Sequence, residues 1–299
     1  MIKSIVVPLD GSAAAEVVLP YVEAIARKSG ASIHLFTVMH DRVVWGDAPK
    51  KAEQGVETDR ARAYLAEKID ALQKKGLTVD GEVAYGPEAE AILTRAEEIP
   101  TDLIAMATHG RSGLTRWTVG SVADAVVRES QRPVLLARSE APVPSEPKID
   151  RILVPLDGSE LSESVLPYVE DFAKLFGASL VLFHAVAPIN IYPGPDVAVA
   201  NIGTILQDLE QDASSHLNAL AKKLEERGLK THCLVTMGSS VWEITRVAED
   251  SGAGLIAMAT HGRSGLGRWV MGSVADGVLR RSKLPCLVIR PAAAQKAAQ

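Results

Sequence analysis

Short apolar runs and longer amphipathic ones alternate along this chain. "SIVVPL", "SIHLFTV", "LTVDGEVA", "DLIAMA" and "PVLLA" are brief, rich in branched residues and bounded by turn formers, so they predict five strands in the first half. Between them, "AAAEVVLPYVEAIARKSG", "ETDRARAYLAEKIDALQKKG", "PEAEAILTRAEE" and "GSVADAVVRES" place apolar residues at helical spacing. Continuous apolar strands alternating with helices predict a parallel sheet covered on both faces. Right-handed crossovers then make it an open, doubly wound α/β sheet. Pro20 and Pro167 fall inside the first helical pattern of each half. A proline there removes a backbone hydrogen bond and predicts a kink.

The whole pattern occurs twice. "IKSIVVPLDGSAAAEVVLPYVEAIARKSGAS", starting at Ile2, matches "IDRILVPLDGSELSESVLPYVEDFAKLFGAS", starting at Ile149, at an offset of 147 residues. "ATHGRSGLTRWTVGSVAD", starting at Ala107, matches "ATHGRSGLGRWVMGSVAD", starting at Ala259, at an offset of 152. The five extra residues fall where "HDRVVWGDAPKK" becomes "APINIYPGPDVAVANIG", a difference suited to a surface loop. Two domains are expected, residues 1–140 and 149–291. The proline- and charge-bearing stretch 138–148 reads as the linker and 292–299 as a frayed tail.

Composition narrows the function classes. With 47% hydrophobic and 23% charged residues the chain can build real cores, and with only 4% aromatics those cores must be aliphatic. A formal net charge of -5 gives no basic field for nucleic acid or an anionic membrane surface, and no apolar run is long enough for a membrane span. The start reads as a buried strand, not a leader. Cys233 and Cys286 have neither metal nor redox spacing, so they read as inert thiols of a cytoplasmic protein.

In an open parallel sheet, ligands bind beyond the carboxyl ends of the strands where strand order reverses. That selects the exit of strand one, with Pro8, Asp10 and Ser12 (Pro155, Asp157 and Ser159), and the exit of strand four. The latter carries the duplicated eighteen-residue segment. Gly110 and Gly113 let successive amides turn toward one point, and Gly120 and Ser121 open the last helix, whose first amides, including that of Val122, lack internal partners. Phosphate is the natural guest there, with Arg111 and Arg116 adding charge at the rim. The second copy offers Gly262, Gly265, Gly272, Ser273, Val274 and Arg263. No lysine precedes Ser121, so this is not a GxxxxGK[ST] loop. Asp10 and Asp157 suit a ribose or base edge, or else support the serine N-caps that follow them. His109 and His261 lack an orienting partner for general-base work and read as structural or ligand-lining. Asp102 starts strand four, at the wrong end of the sheet for the site, and its counterpart is Gly254.

"VVPLDGS" and "LVPLDGS" opening the two copies, with "THGRSGL" and "GSVAD" near each end, closely resemble the universal stress protein family in a tandem form spanning nearly the whole chain. The resemblance implies five-stranded parallel sheets of order 3-2-1-4-5, each flanked by four helices. It also implies ATP binding through G-x2-G-x9-G-[S/T], here Gly110 with Gly120–Ser121 and Gly262 with Gly272–Ser273. Asp10 and Asp157 would then face the ribose or adenine, and the backbone near Val38 and Ala185 the adenine edge. Ala107 and Ala259 stand in place of the first glycine of the pattern, and a methyl against a closely approaching ligand costs about 1–3 kcal/mol.

The function so implied is a stress-response sensor or regulator with one adenine-nucleotide site per domain and slow hydrolysis at most. Magnesium could accompany ATP, though no protein ligand set for it is evident. A protein of the same fold acting only through regulatory protein partners is the second reading. An ATP-dependent adenylating enzyme is the third, opposed by the single glycine after strand one. The family's pairing of domains through their last strands would here occur within one chain as a pseudo-dimer, joining "PVLLA" to "PCLVI". A further homodimer is left open.

Overall fold

The computed structural model describes residues 2–39, 49–109, 119–141, 146–188, 199–260 and 271–291. The glycine-rich segment residues Gly110, Arg111, Gly113, His261, Gly262, Arg263 and Gly265 lie outside the described residues, as do Arg116, residues 142–145 of the 138–148 stretch and the 292–299 tail. Contacts divide the chain into two units, residues 1–147 with 283–290, and residues 148–282 with 291–299.

In the first unit the elements run β1 (Ser4–Pro8), α1 (Ala13–Glu16), α2 (Leu19–Ser29), β2 (Ser32–Met39), α3 (Pro49–Gln73), β3 (Val79–Tyr85), α4 (Glu88–Glu98), β4 (Leu103–Ala107), α5 (Ser121–Glu129) and β5 (Val134–Ala137). β1 pairs in parallel with β2 on one side and β4 on the other, β2 with β3, and β4 with β5. The order is therefore 3-2-1-4-5, and strand order reverses between β1 and β4. β4 and β5 are buried along their whole length, as parallel strands covered on both faces must be. Their aliphatic core includes Ile5, Ile25, Ile33, Leu103, Ile104 and Leu135, all without exposed surface. Burying each such side chain contributes roughly 1.5–3 kcal/mol.

Proline decides the first helix. The chain leaves α1 at Glu16 and restarts as α2 at Leu19, with Pro20 in the first turn of α2, where its missing N–H costs nothing. The expected kink is thus a full break. Helix α3 begins at Pro49, eight residues ahead of the amphipathic pattern that announced it at Glu57.

The second unit repeats the plan with β6 (Arg151–Pro155), α6 (Glu160–Glu163), α7 (Leu166–Phe176), β7 (Ser179–Val186), α8 (Val199–Glu225), β8 (Thr231–Met237), α9 (Ser240–Asp250), β9 (Leu255–Ala259) and α10 (Ser273–Arg281). β6 lies between β7 and β9, and β8 is beyond β7, all parallel. Pro167 occupies the first turn of α7, matching Pro20.

The last strand, β10 (Cys286–Ile289), closes the first unit. It runs antiparallel to β5, with Cys286 opposite Leu136 and Val288 opposite Val134, the junction expected between "PVLLA" and "PCLVI". Cys286 is buried there and Cys233 half-buried on β8; both are free thiols. Among the described residues, no helix is long and apolar enough to cross a membrane.

Candidate functional site

Three peptide segments meet beyond the carboxyl ends of β6 and β9. The first leaves β6 at Pro155 and turns through Leu156, whose amide donates to the Phe183 carbonyl on β7 at 2.8 Å. The Asp157 carboxylate then folds back on its own turn: Oδ1 accepts from the Ser159 amide at 3.0 Å and the Ser159 hydroxyl at 2.6 Å. Ser159 Oγ in turn accepts from the Ser162 amide, making Ser159 the N-cap of α6. Ser162 is buried; its hydroxyl donates to the Ser159 carbonyl and accepts from the Asp157 amide at 3.3 Å.

The second segment leaves β9 through Ala259 and the buried Thr260. The Thr260 carbonyl accepts from the Gly272 amide at 2.8 Å, which sets the start of α10 directly beside the strand exit. Gly272 is the N-cap and, having no side chain, makes no side-chain cap bond. The first turn of α10 therefore keeps amide donors and the positive end of its dipole available to an anion. The Ser273 side chain is exposed beside them.

The third segment is the start of α9, which brings Ser240 and Ile244 across from β7. Together the three enclose a cavity of ≈ 210 Å³. Phe183, Ile244 and Met258 give it apolar walls, and Asp157, Ser162, Ser240, Thr260 and Ser273 supply polar groups. All the described candidates of the second copy line it: Pro155, Asp157, Ala185, Ala259, Gly272, Ser273 and Val274. Ser162, Ser240 and Thr260 were not singled out from the sequence. Thr260 sat inside the quoted segment, between two residues that were; Ser240 opens a helix at a strand exit that the switch-point rule does not select.

The first unit holds the same positions. Asp10 Oδ1 accepts from the Ser12 amide at 2.9 Å and the Ser12 hydroxyl at 2.6 Å, and Ser12 caps α1 through the Ala15 amide. Gly120 donates its amide to the Thr108 carbonyl at 2.8 Å and opens α5, where Ser121 is exposed and Val122 half-buried. Pro8 and Val38 are half-buried at the ends of β1 and β2, and Ala107 is buried at the end of β4. His109 Nδ1 lies 3.2 Å from the Thr108 hydroxyl, and its backbone amide and carbonyl are both tied to Ser139 Oγ. No carboxylate orients this imidazole among the described contacts, which leaves it poorly equipped as a general base. Asp102 Oδ2 accepts from the Lys3 and Ser4 amides, so it fastens the start of β1 at the opposite end of the sheet.

Beside the Asp10 turn, Tyr64 on α3 donates its hydroxyl to Glu16 at 2.9 Å, and Lys68 reaches the other Glu16 oxygen at 3.0 Å. Burial above all holds the Tyr64 phenol well above the ordinary tyrosine range, helped by its bond to Glu16 and by the charges of Glu16, Asp10 and Glu67. The second unit places His216 and Glu163 at the equivalent positions, 2.8 Å apart. Among the described residues, no group of three or more histidine, cysteine or carboxylate side chains could hold a metal ion.

The arrangement in the second unit is a mostly apolar cavity with a helix start at one wall and a carboxylate at another, and the first unit carries the corresponding residues at equivalent positions. The profile of the universal stress protein family matches residues 1–138 and 148–290. A universal stress protein of Mycobacterium tuberculosis is 24% identical over 264 residues, covering 85% of this chain and 86% of the relative. One of Methanocaldococcus jannaschii is 28% identical over 152 residues, 47% of this chain and 94% of its own. The crystal structure of a universal stress protein from Archaeoglobus fulgidus shares the fold along 97% of this chain and 96% of its own, with a TM-score of 0.71 at 21% identity. With both halves matched to the family profile, the chain belongs to the universal stress protein family, as a tandem member carrying two copies of its fold.

Proposed function

We propose that each unit binds an adenine nucleotide beyond the exits of its first and fourth strands, with ATP as the ligand, and that the chain serves stress response as a sensor or regulator whose state follows that ligand. The observation that carries this reading is the cavity of the second unit, where Asp157, Ala185 and the uncapped start of α10 come together. The phosphates would lie against the amides of Ser273 and Val274 and the Ser273 hydroxyl, where helix dipole and donors act on the same charge. The sugar hydroxyls would donate to the Asp157 carboxylate, and the base would lie on the apolar wall near Ala185. Gly110, Gly113, Gly262 and Gly265, with Arg111, Arg263 and His261, complete the site in this reading. Phosphoryl transfer would be slow, because the described residues bring neither a metal-holding carboxylate set nor an activating lysine to the cavity.

Ala259 lines the cavity at the position of the pattern's first glycine, which favours weaker binding than a glycine would allow and keeps open a role through protein partners alone. One experiment separates these. Protein purified without added nucleotide is denatured, the chain removed, and the supernatant run on anion exchange against nucleotide standards. ATP at one or two equivalents per chain is the expected result. An empty supernatant, followed by neither heat nor thermal shift on titration with millimolar ATP, overturns the nucleotide reading.

A further inference from the structure

The two copies place equivalent residues at the exits of their first and fourth strands, and those residues are not all the same. Of the positions lining the second unit's cavity, all but three carry the identical residue in the first copy. The exceptions are Ser162, Ala185 and Ser240, which correspond to Ala15, Val38 and Glu88. We propose that the two nucleotide sites are unequal, that the second unit carries the tighter one, and that Ser240 against Glu88 is the main determinant. The proposal rests on the nucleotide reading above.

All three exchanges act in one direction. Ser240 and Glu88 are each the first residue of an eleven-residue helix, α9 and α4, so they hold equivalent places in the two units. Where the second unit offers a hydroxyl at the cavity wall, the equivalent position of the first unit carries a carboxylate, which would repel an anionic ligand in a partly desolvated site. Val38 adds two methyl groups at the strand end where Ala185 lines the cavity, taking space from the ligand. Ser162 ties down the Asp157 amide through its hydroxyl, whereas Ala15 has no group to do the same for Asp10. The Asp157 turn is thus held in place before the ligand arrives, and a preorganised contact loses less on binding.

The test is calorimetric titration of the full chain with ATP, using variants that close one site at a time. Ser121→Glu and Ser273→Glu put a carboxylate into the first turn of α5 or α10 at exposed positions, where it repels phosphate yet suits the helix dipole. The wild-type chain should bind in two steps about tenfold apart or more, and Ser273→Glu should remove the tighter step. In that background Glu88→Ser should tighten the remaining site by about tenfold; in the Ser121→Glu background Ser240→Glu should weaken the other by a similar factor. Glu88→Gln keeps the side-chain length and carries the test if the serine variant melts early. Two steps of equal affinity, loss of the tighter step in Ser121→Glu, or no response to either Glu88 variant would overturn the inequality with nucleotide binding intact. No binding in any form of the chain would instead overturn the nucleotide reading.

Discussion

The amide of Gly120 donates to the carbonyl oxygen of Thr108 at 2.8 Å, and a Cβ added at Gly120 would stand 2.9 Å from that same oxygen. The glycine is therefore required by the backbone itself: α5 starts in direct contact with the exit of β4. Gly120→Ala should cost about 1–3 kcal/mol and lower the urea midpoint with little change in slope. An unchanged midpoint would show that the strand exit yields freely. Because stability and binding would move together, Gly120 is a poor probe of phosphate contact, and the exposed Ser121 and Ser273 are better ones.

Asp10 holds the Ser12 turn and, in the proposed reading, meets the ligand, and substitution can separate the two. Asp10→Asn keeps an oxygen to accept from Ser12, so stability should stay within about 0.5 kcal/mol while ATP affinity falls. Asp10→Ala should lower both, with about 1 kcal/mol of stability lost alongside the cap. Equal affinity in Asp10→Asn and the native chain would reduce Asp10 to a turn residue.

Tyr64 predicts an alkaline weakness. Its phenol is held above the usual tyrosine value in the folded chain, so the unfolded chain releases that proton first as pH rises. The stability contributed is complete below pH about 10 and is lost progressively above it, as pH climbs toward the folded-state value. Denaturation followed from pH 8 to 11 should show a steeper fall for the native chain than for Tyr64→Phe. Parallel curves would contradict the assignment.

Asp102 and Gly254 are equivalent positions that hold the start of the first strand by opposite means. A Cβ at Gly254 would stand 1.9 Å from the Lys148 carbonyl oxygen, a contact no alanine can make without moving the backbone. Gly254→Ala should cost about 3 kcal/mol or more, at the upper end of overpacking effects. Asp102→Ala, which strands the Lys3 and Ser4 amides, should cost about 1–3 kcal/mol. Thermal unfolding of both variants measures this, and a silent Gly254→Ala would show that Lys148 can retreat.

What the sequence disclosed was whatever its local chemistry encodes. Apolar runs located the strands, Pro20 and Pro167 located the break between α1 and α2 and between α6 and α7, and the duplication announced two copies of one fold. Local pattern also pointed to Asp157, Gly272 and Ser273, which line the second unit's cavity, because they sit at strand exits and helix starts that topology makes special; Ala259, which lines it too, was singled out by the family resemblance. It missed Ser240, which reaches the cavity because α9 packs against β7 and α10. It missed the reason for Gly120, which is a contact across a twelve-residue separation and not a local backbone angle. The first turns of α3 were missed too, since "PKKAEQG" carries no amphipathic stripe to announce a helix.

The placement of β10 sets an order of events for the newborn chain. The first unit is written almost entirely in the first half, yet the strand that pairs with β5 is written only after the helices of the second unit. Until then the rim formed by Val134–Ala137 stays open, and any chain fragment ending near residue 147 would leave the ribosome with it still open. An open rim of this kind is a template for strands from other molecules. Completion of the first unit thus waits on a strand made after the elements of the second, and truncation ahead of β10 leaves the first unit without it.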